Sequence, residues 1–122
     1  MEQKATQLSE QLLDYGVEIV RLTTKLEKSV AGRLIANQLI RRGTSTGANY
    51  EEACGAQSRA DFIHKLQIVL KEIRESLYWL KLAQKSSVLK VLNDPSINKI
   101  IDETKQLSNI IAKSIITAKK VK

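Results

Sequence analysis

Gln38-Leu39-Ile40-Arg41-Arg42-Gly43-Thr44-Ser45-Thr46-Gly47-Ala48-Asn49-Tyr50-Glu51-Glu52-Ala53 is the stretch that decides the fold. Two arginines run into a patch of small residues, and a pair of glutamates follows. Glycine and β-branched threonine weaken a helix interior, so residues 43–47 have the composition of a loop. Gly43 and Gly47 are also four apart, which puts them on one face of a continuous helix and lets a neighbouring backbone approach. The choice fixes the number of helices and the place of the polar chemistry.

Upstream, Val30, Leu34, Ile35, Leu39 and Ile40 recur at helical spacing. The same period continues through Arg42, Thr46, Asn49 and Ala53, with Arg41, Ser45, Ala48 and Glu52 as a parallel row. This continuity predicts a helix over 30–54 that stops near Gly55, with a loop at 43–47 as the alternative. Before it, Leu8, Leu12, Tyr15, Ile19, Leu22 and Leu26 form a heptad-like stripe that predicts a helix over 4–28. Leu13, Val17 and Val20 widen its apolar face beyond one seam, so this helix must meet more than one neighbour. Ser29 is placed to cap the next helix.

Downstream, Ser58-Arg59-Ala60-Asp61 resembles a capping box and predicts a third helix over 58–85. Phe62, Leu66, Val69, Ile73, Leu77 and Leu80 share one face, with Lys65, Lys71, Arg74, Lys81 and Lys85 opposite. A connector follows, with a helical turn at 88–92. Asp94-Pro95 then supplies an acidic cap and a proline at the first helical position, opening an isoleucine-rich helix over 95–119. Long helices with short connections predict an all-α fold, an antiparallel up-down-up-down four-helix bundle in one domain over 1–122. The surplus apolar surface predicts a homo-oligomer.

The net charge is +7 and uneven. Residues 1–28 hold four Lys/Arg against five Asp/Glu, whereas residues 58–90 hold seven against three. A field of this kind attracts polyanions; a lysine-rich solvated surface is the plainer explanation. One cysteine, Cys54, excludes an intrachain disulfide framework. There is no apolar run of membrane-spanning length and no signal-peptide core, so a cytoplasmic protein with no membrane partner is expected.

The central block, together with Asp61-Phe62-Ile63-His64-Lys65-Leu66 and Lys71-Glu72-x-x-Glu75-Ser76-x-Tyr78-Trp79-Leu80, resembles the four-helix-bundle proteins encoded in intervening sequences of large-subunit ribosomal RNA genes. The resemblance runs over about residues 8–118 and implies a left-handed antiparallel bundle, often a ring-like homopentamer. A relative in fold is the accessory protein of diversity-generating retroelements, a basic pentamer that works with a reverse transcriptase and RNA. Under this resemblance residues 43–47 are helical, and Gln38, Arg41, Asn49 and Glu52 form a polar cluster within or beside the bundle. Such a buried Arg–Glu pair sets helix register more than it adds stability. The resemblance brings no catalytic residues.

Other chemistries find little support. Residues 43–47 have neither the Gly-Lys pair nor the preceding strand of a phosphate-binding loop. A single histidine and a single cysteine leave no zinc set, and paired Glu-x-x-His motifs are absent, so neither metal nor cofactor is expected. Arg59 and His64 have the Arg-x4-His spacing that resembles HEPN-type ribonucleases, in which arginine steadies phosphate charge and histidine moves protons. The aromatics are few and fall near apolar stripes, which points to the core or to a subunit interface.

The expectation is therefore a non-enzymatic homo-oligomer, a pentamer by the resemblance, that binds RNA or another nucleic acid, or a nucleic-acid-processing protein. Arg41, Arg42, Lys65, Lys71, Arg74, Lys81 and Lys85 are the candidate contacts. A protein scaffold and the Arg59/His64 nuclease are the alternatives. Whether Arg41 and Arg42 face core or solvent is open at this stage.

Overall fold

A computed structural model describes residues 3–91 and 93–121. Four helices account for most of them: α1 (Gln3–Thr23), α2 (Val30–Cys54), α3 (Arg59–Lys85) and α4 (Pro95–Lys120). Helix α1 packs on α2, α2 on α3 and α3 on α4, while α4 touches α1 most sparsely. Ser9, near the start of α1, donates a hydrogen bond to Glu51 near the end of α2. Arg59 at the start of α3 donates to the carbonyl of Ala118 at the end of α4 (3.3 Å).

Residues 43–47 are helical, and the polar side chains there are satisfied inside the helix. Thr44 donates to the Ile40 carbonyl, Ser45 to that of Arg42 (3.1 Å) and Thr46 to that of Gly43 (2.8 Å). The small residues admit α1. A Cβ built on Gly43 would come within 2.7 Å of Ile19 Cγ1, whereas one on Gly47 would make ordinary contact with the Leu12 backbone at 3.5 Å. The remaining caps follow local chemistry: Ser29, Ser58 and Asp94 accept from the backbone N–H of Gly32, Asp61 and Ser96.

Helix α1 stops at Thr23, short of the Lys28 that the apolar stripe implies. The Thr23 and Thr24 hydroxyls donate to the carbonyls of Val20 (2.6 Å) and Arg21 (2.7 Å), and tight turns close behind them. Leu26 keeps its place in the buried stripe without being helical. It lies antiparallel to Leu89, flanked by Glu27 N–H to the Val88 carbonyl (2.7 Å) and Lys90 N–H to the Lys25 carbonyl (2.8 Å). Residues 88–91 therefore pair with the α1–α2 connection and do not form the expected helical turn, whose last residue, Leu92, lies outside the described residues. Leu26, Val88 and Leu89 bury their side chains at this end of the core.

The core itself is aliphatic, with Leu12, Ile19, Leu39, Leu66, Ile73, Leu80 and Ile111 fully enclosed. A buried polar layer crosses it. The Thr104 hydroxyl donates to the Ile100 carbonyl (2.6 Å), so the Tyr15 hydroxyl is the donor in its 2.8 Å bond to Thr104 Oγ1. Thr46 and Ser76 are equally enclosed and donate along their own helices. Every hydroxyl in this layer has a partner, which avoids the penalty of a buried unpaired polar group.

Candidate nucleic-acid interface

Helix α3 turns one continuous face to solvent. Lys71, Arg74, Tyr78, Lys81 and Lys85 follow one another at spacings of three and four, and all five are exposed. At 1.5 Å per residue this row is about 21 Å long. Along part of it runs a groove of about 640 Å³ between α3 and α4. Lys71, Arg74 and Tyr78 form one wall; Ile115, Ile116 and Lys119 form the other. Tyr78 is 61% exposed and meets Trp79 edge-on, with ring centroids 5.4 Å apart. An aromatic ring among cations offers a stacking surface beside phosphate contacts.

The same helix carries two carboxylates within this run, Glu72 and Glu75, which would offset the cations. Although Glu75 also lines the α3–α4 groove, both pair with Arg42 of α2. Its Nε lies 2.8 Å from Glu75 Oε2 and its Nη1 lies 3.7 Å from Glu72 Oε2. The Nε–H direction misses a regular hydrogen bond, so the contact is an ion pair held by proximity. Ser45 Oγ lies 3.1 Å from Glu72 Oε2 as well as from the Arg42 carbonyl, so its single proton serves one acceptor or the other. Among the described residues, Lys71, Arg74, Lys81 and Lys85 make no ion pair with any carboxylate. Their charge stays available.

The other candidates separate. Arg41 is exposed on α2, whereas Arg42 is half-buried and engaged as described. Lys65 is half-buried and paired with Asp61 at 3.4 Å. Gln38 and Asn49 are half-buried and Glu52 is exposed, and no hydrogen bond or ion pair joins them to one another or to Arg41 among the described residues. The helix-spanning pair is Arg42 with Glu72 and Glu75, and the glutamate of α2 that engages α1 is Glu51.

Arg59 and His64 are five residues apart on one helix, about 140° around its axis, so they face different sides. Arg59 reaches α4, and His64 is exposed. Among the described residues no three His, Cys, Asp or Glu side chains gather as a metal would require. No described helix is long and apolar enough to cross a membrane.

A second groove, of about 650 Å³, separates α1 from α2. The small residues Gly16, Thr44, Gly47 and Ala48 line it, and Leu13, Val17 and Val20 line its α1 side. Leu13 is 67% exposed. The sequence pattern pointed to this surplus face but not to Lys119 and Ile116 of the first groove, because the rotation of α4 against α3 is a tertiary property.

A family model of the 23S rRNA-intervening sequence protein matches residues 2–113. Among solved structures, one similar chain is a protein of unknown function from the S23 ribosomal protein family of Bacteroides thetaiotaomicron VPI-5482. It shares 34% identity at a TM-score of 0.76, over 88% of this chain and 97% of that one. No curated protein matches. Matched over nearly its whole length and folded like this relative, the chain belongs to the 23S rRNA-intervening sequence protein family.

Proposed function

We propose that this protein is a non-enzymatic, cytoplasmic, homo-oligomeric RNA-binding bundle that holds structured RNA along the α3–α4 face. The observation that carries this reading is the row Lys71, Arg74, Lys81 and Lys85, which makes no ion pair among the described residues while Arg42 engages the two nearby carboxylates. Four unpaired cations over about 21 Å supply a sequence-independent hold on a phosphate backbone. Tyr78 adds a base-stacking surface between them, and Lys119 extends the charge onto α4. The name of the family makes ribosomal RNA the first ligand to test.

The pairing of helix starts with helix ends supports an up-down-up-down antiparallel arrangement, as short connections between long helices require. The α1–α2 groove, with Leu13, Val17 and Val20 exposed, is the face that would seat another copy. A ring, pentameric by the family resemblance, needs a different complementary surface on the next copy. Such an assembly repeats the basic face around its circumference.

Light scattering measures the mass with and without a structured ribosomal RNA fragment at low and moderate salt. An oligomer that gains RNA mass at low salt and releases it at moderate salt is the expected outcome. A monomer, or an oligomer indifferent to RNA, overturns the reading and leaves a protein scaffold. Intact RNA after prolonged incubation, unchanged by His64→Ala, is expected of a binder and not of a nuclease.

A further inference from the structure

At the end of the bundle away from the Leu26–Leu89 pairing, the sparse contact between α1 and α4 opens a cavity of about 860 Å³. All four helices line it. Leu8, Tyr50, Phe62 and Ile110 supply an apolar and aromatic interior, one residue from each helix. Lys4, Arg59 and Lys113 stand around it as cations, and no carboxylate lines it among the described residues. The nearest glutamate in sequence to its α2 wall, Glu51, bonds Ser9 and lines the α1–α2 groove instead. Arg59 spends one donor on the Ala118 carbonyl, which anchors its guanidinium at the rim and leaves further N–H groups unused. Lys4 and Lys113 are exposed and make no ion pair among the described residues.

An apolar interior between bundle helices, in the ~300–1,000 Å³ range typical of small-ligand sites, with convergent charge of one sign, selects a particular chemistry. We propose that this cavity binds an amphiphilic anion, an apolar chain or ring carrying one carboxylate or phosphate, with the head group on Arg59 and Lys113 and the apolar body between Leu8, Tyr50, Phe62 and Ile110. The site lies apart from the α3–α4 groove and does not depend on RNA binding. Lys71, Arg74 and Tyr78 line none of it.

Cys54 lines the same cavity, half-buried, and its burial pushes the thiol up from its ordinary range. It is the only thiol in the chain, which makes it a built-in reporter. The experiment follows iodoacetamide alkylation of Cys54 in the full chain at fixed mildly alkaline pH, with decanoate, decyl phosphate or decanol added below their micelle concentrations. Both anions are expected to slow alkylation by about tenfold or more at saturation, and decanol far less. Arg59→Gln with Lys113→Gln is expected to weaken decanoate protection by about tenfold, equivalent to about 1.4 kcal/mol, since both cations are exposed and screened by solvent. Circular dichroism of that variant reports the fold, and Lys113→Gln alone, at an exposed site, supplies a second variant. Equal protection by decanol, no protection by either anion, or a thiol already unreactive in the free oligomer each overturns the proposal.

Discussion

The salt dependence of RNA binding tests the role of Arg42 more sharply than the loss of any lysine would. If Lys71, Arg74, Lys81 and Lys85 each neutralise one phosphate, the count of displaced counterions per protomer is about four. The slope of log affinity against log salt is then about −2.8 for single strands and about −3.6 for a duplex. Between about 50 and 200 mM salt, affinity should fall by roughly 50- to 150-fold. Lys71→Gln removes one contact and should make the slope shallower by about a quarter.

Arg42→Gln acts indirectly if the structural reasoning holds. Arg42 is half-buried and binds Glu72 and Glu75, so it is not itself needed as a phosphate contact. One guanidinium balances only one of the two carboxylate charges, so its loss lowers the net charge of the face by one, and the effective count falls by about one. The slope should therefore become shallower by about a quarter, and adding Glu72→Gln with Glu75→Gln should restore it. Fluorescence anisotropy of a labelled ribosomal RNA hairpin, titrated at four salt concentrations, provides the slopes, and circular dichroism verifies that the variants are folded. A slope that stays shallow after Glu72→Gln and Glu75→Gln are added would mean that Arg42 contacts phosphate directly, and the charge-diversion argument would fail. A wild-type slope near zero would sink the polyanion reading itself.

Other outcomes follow from packing. Gly43→Ala sets a methyl group within 2.7 Å of the enclosed, branched Ile19 and should cost about 1–3 kcal/mol in urea unfolding, despite the helix propensity gained. Gly47→Ala meets only ordinary contacts and should stabilise by about 0.5–1 kcal/mol, so two alanines four residues apart should act with opposite sign. Burial is the main reason that the Tyr15 hydroxyl is pushed up from 10.0 to about 12. Its folded pKa lies above the unfolded one, so the stability it contributes is complete below pH ~10 and is lost as pH rises towards ~12, about 2–3 kcal/mol in all. Tyr15→Phe should cost about 1 kcal/mol at neutral pH through the lost bond to Thr104 and should lack that alkaline loss, both measured by chemical unfolding against pH. Leu13→Lys with Val17→Lys, both on exposed positions of the α1–α2 groove, should reduce the light-scattering mass to that of one protomer, and an unchanged mass would place the contact elsewhere.

How far the sequence could be read depended on whether a residue's partner lay on its own helix. Caps at Ser29, Ser58 and Asp94 are local chemistry and were legible, as was the buried stripe of α1. The end of α1 was not, because Leu26 keeps the stripe's period while two threonines and a partner loop bend the backbone out of the helix. In α2 the apolar pattern misled. Val30 and Leu34 are 85% and 52% exposed, and the buried line runs instead through Ile35, Leu39, Gly43, Thr46 and Tyr50. That line sets the rotation of the helix, and a step of one residue turns it by about 100°. The rotation decides which of two adjacent arginines reaches α3. Glycine 43 thus has a consequence well beyond its own contact. By seating against Ile19 it turns Arg42 towards Glu72 and Glu75 and leaves Arg41 in solvent. The close approach of α1 and α2 and the unpaired charge on α3 are two results of one packing choice. A substitution that reopened the α1–α2 contact would therefore disturb the basic face without touching any residue on it.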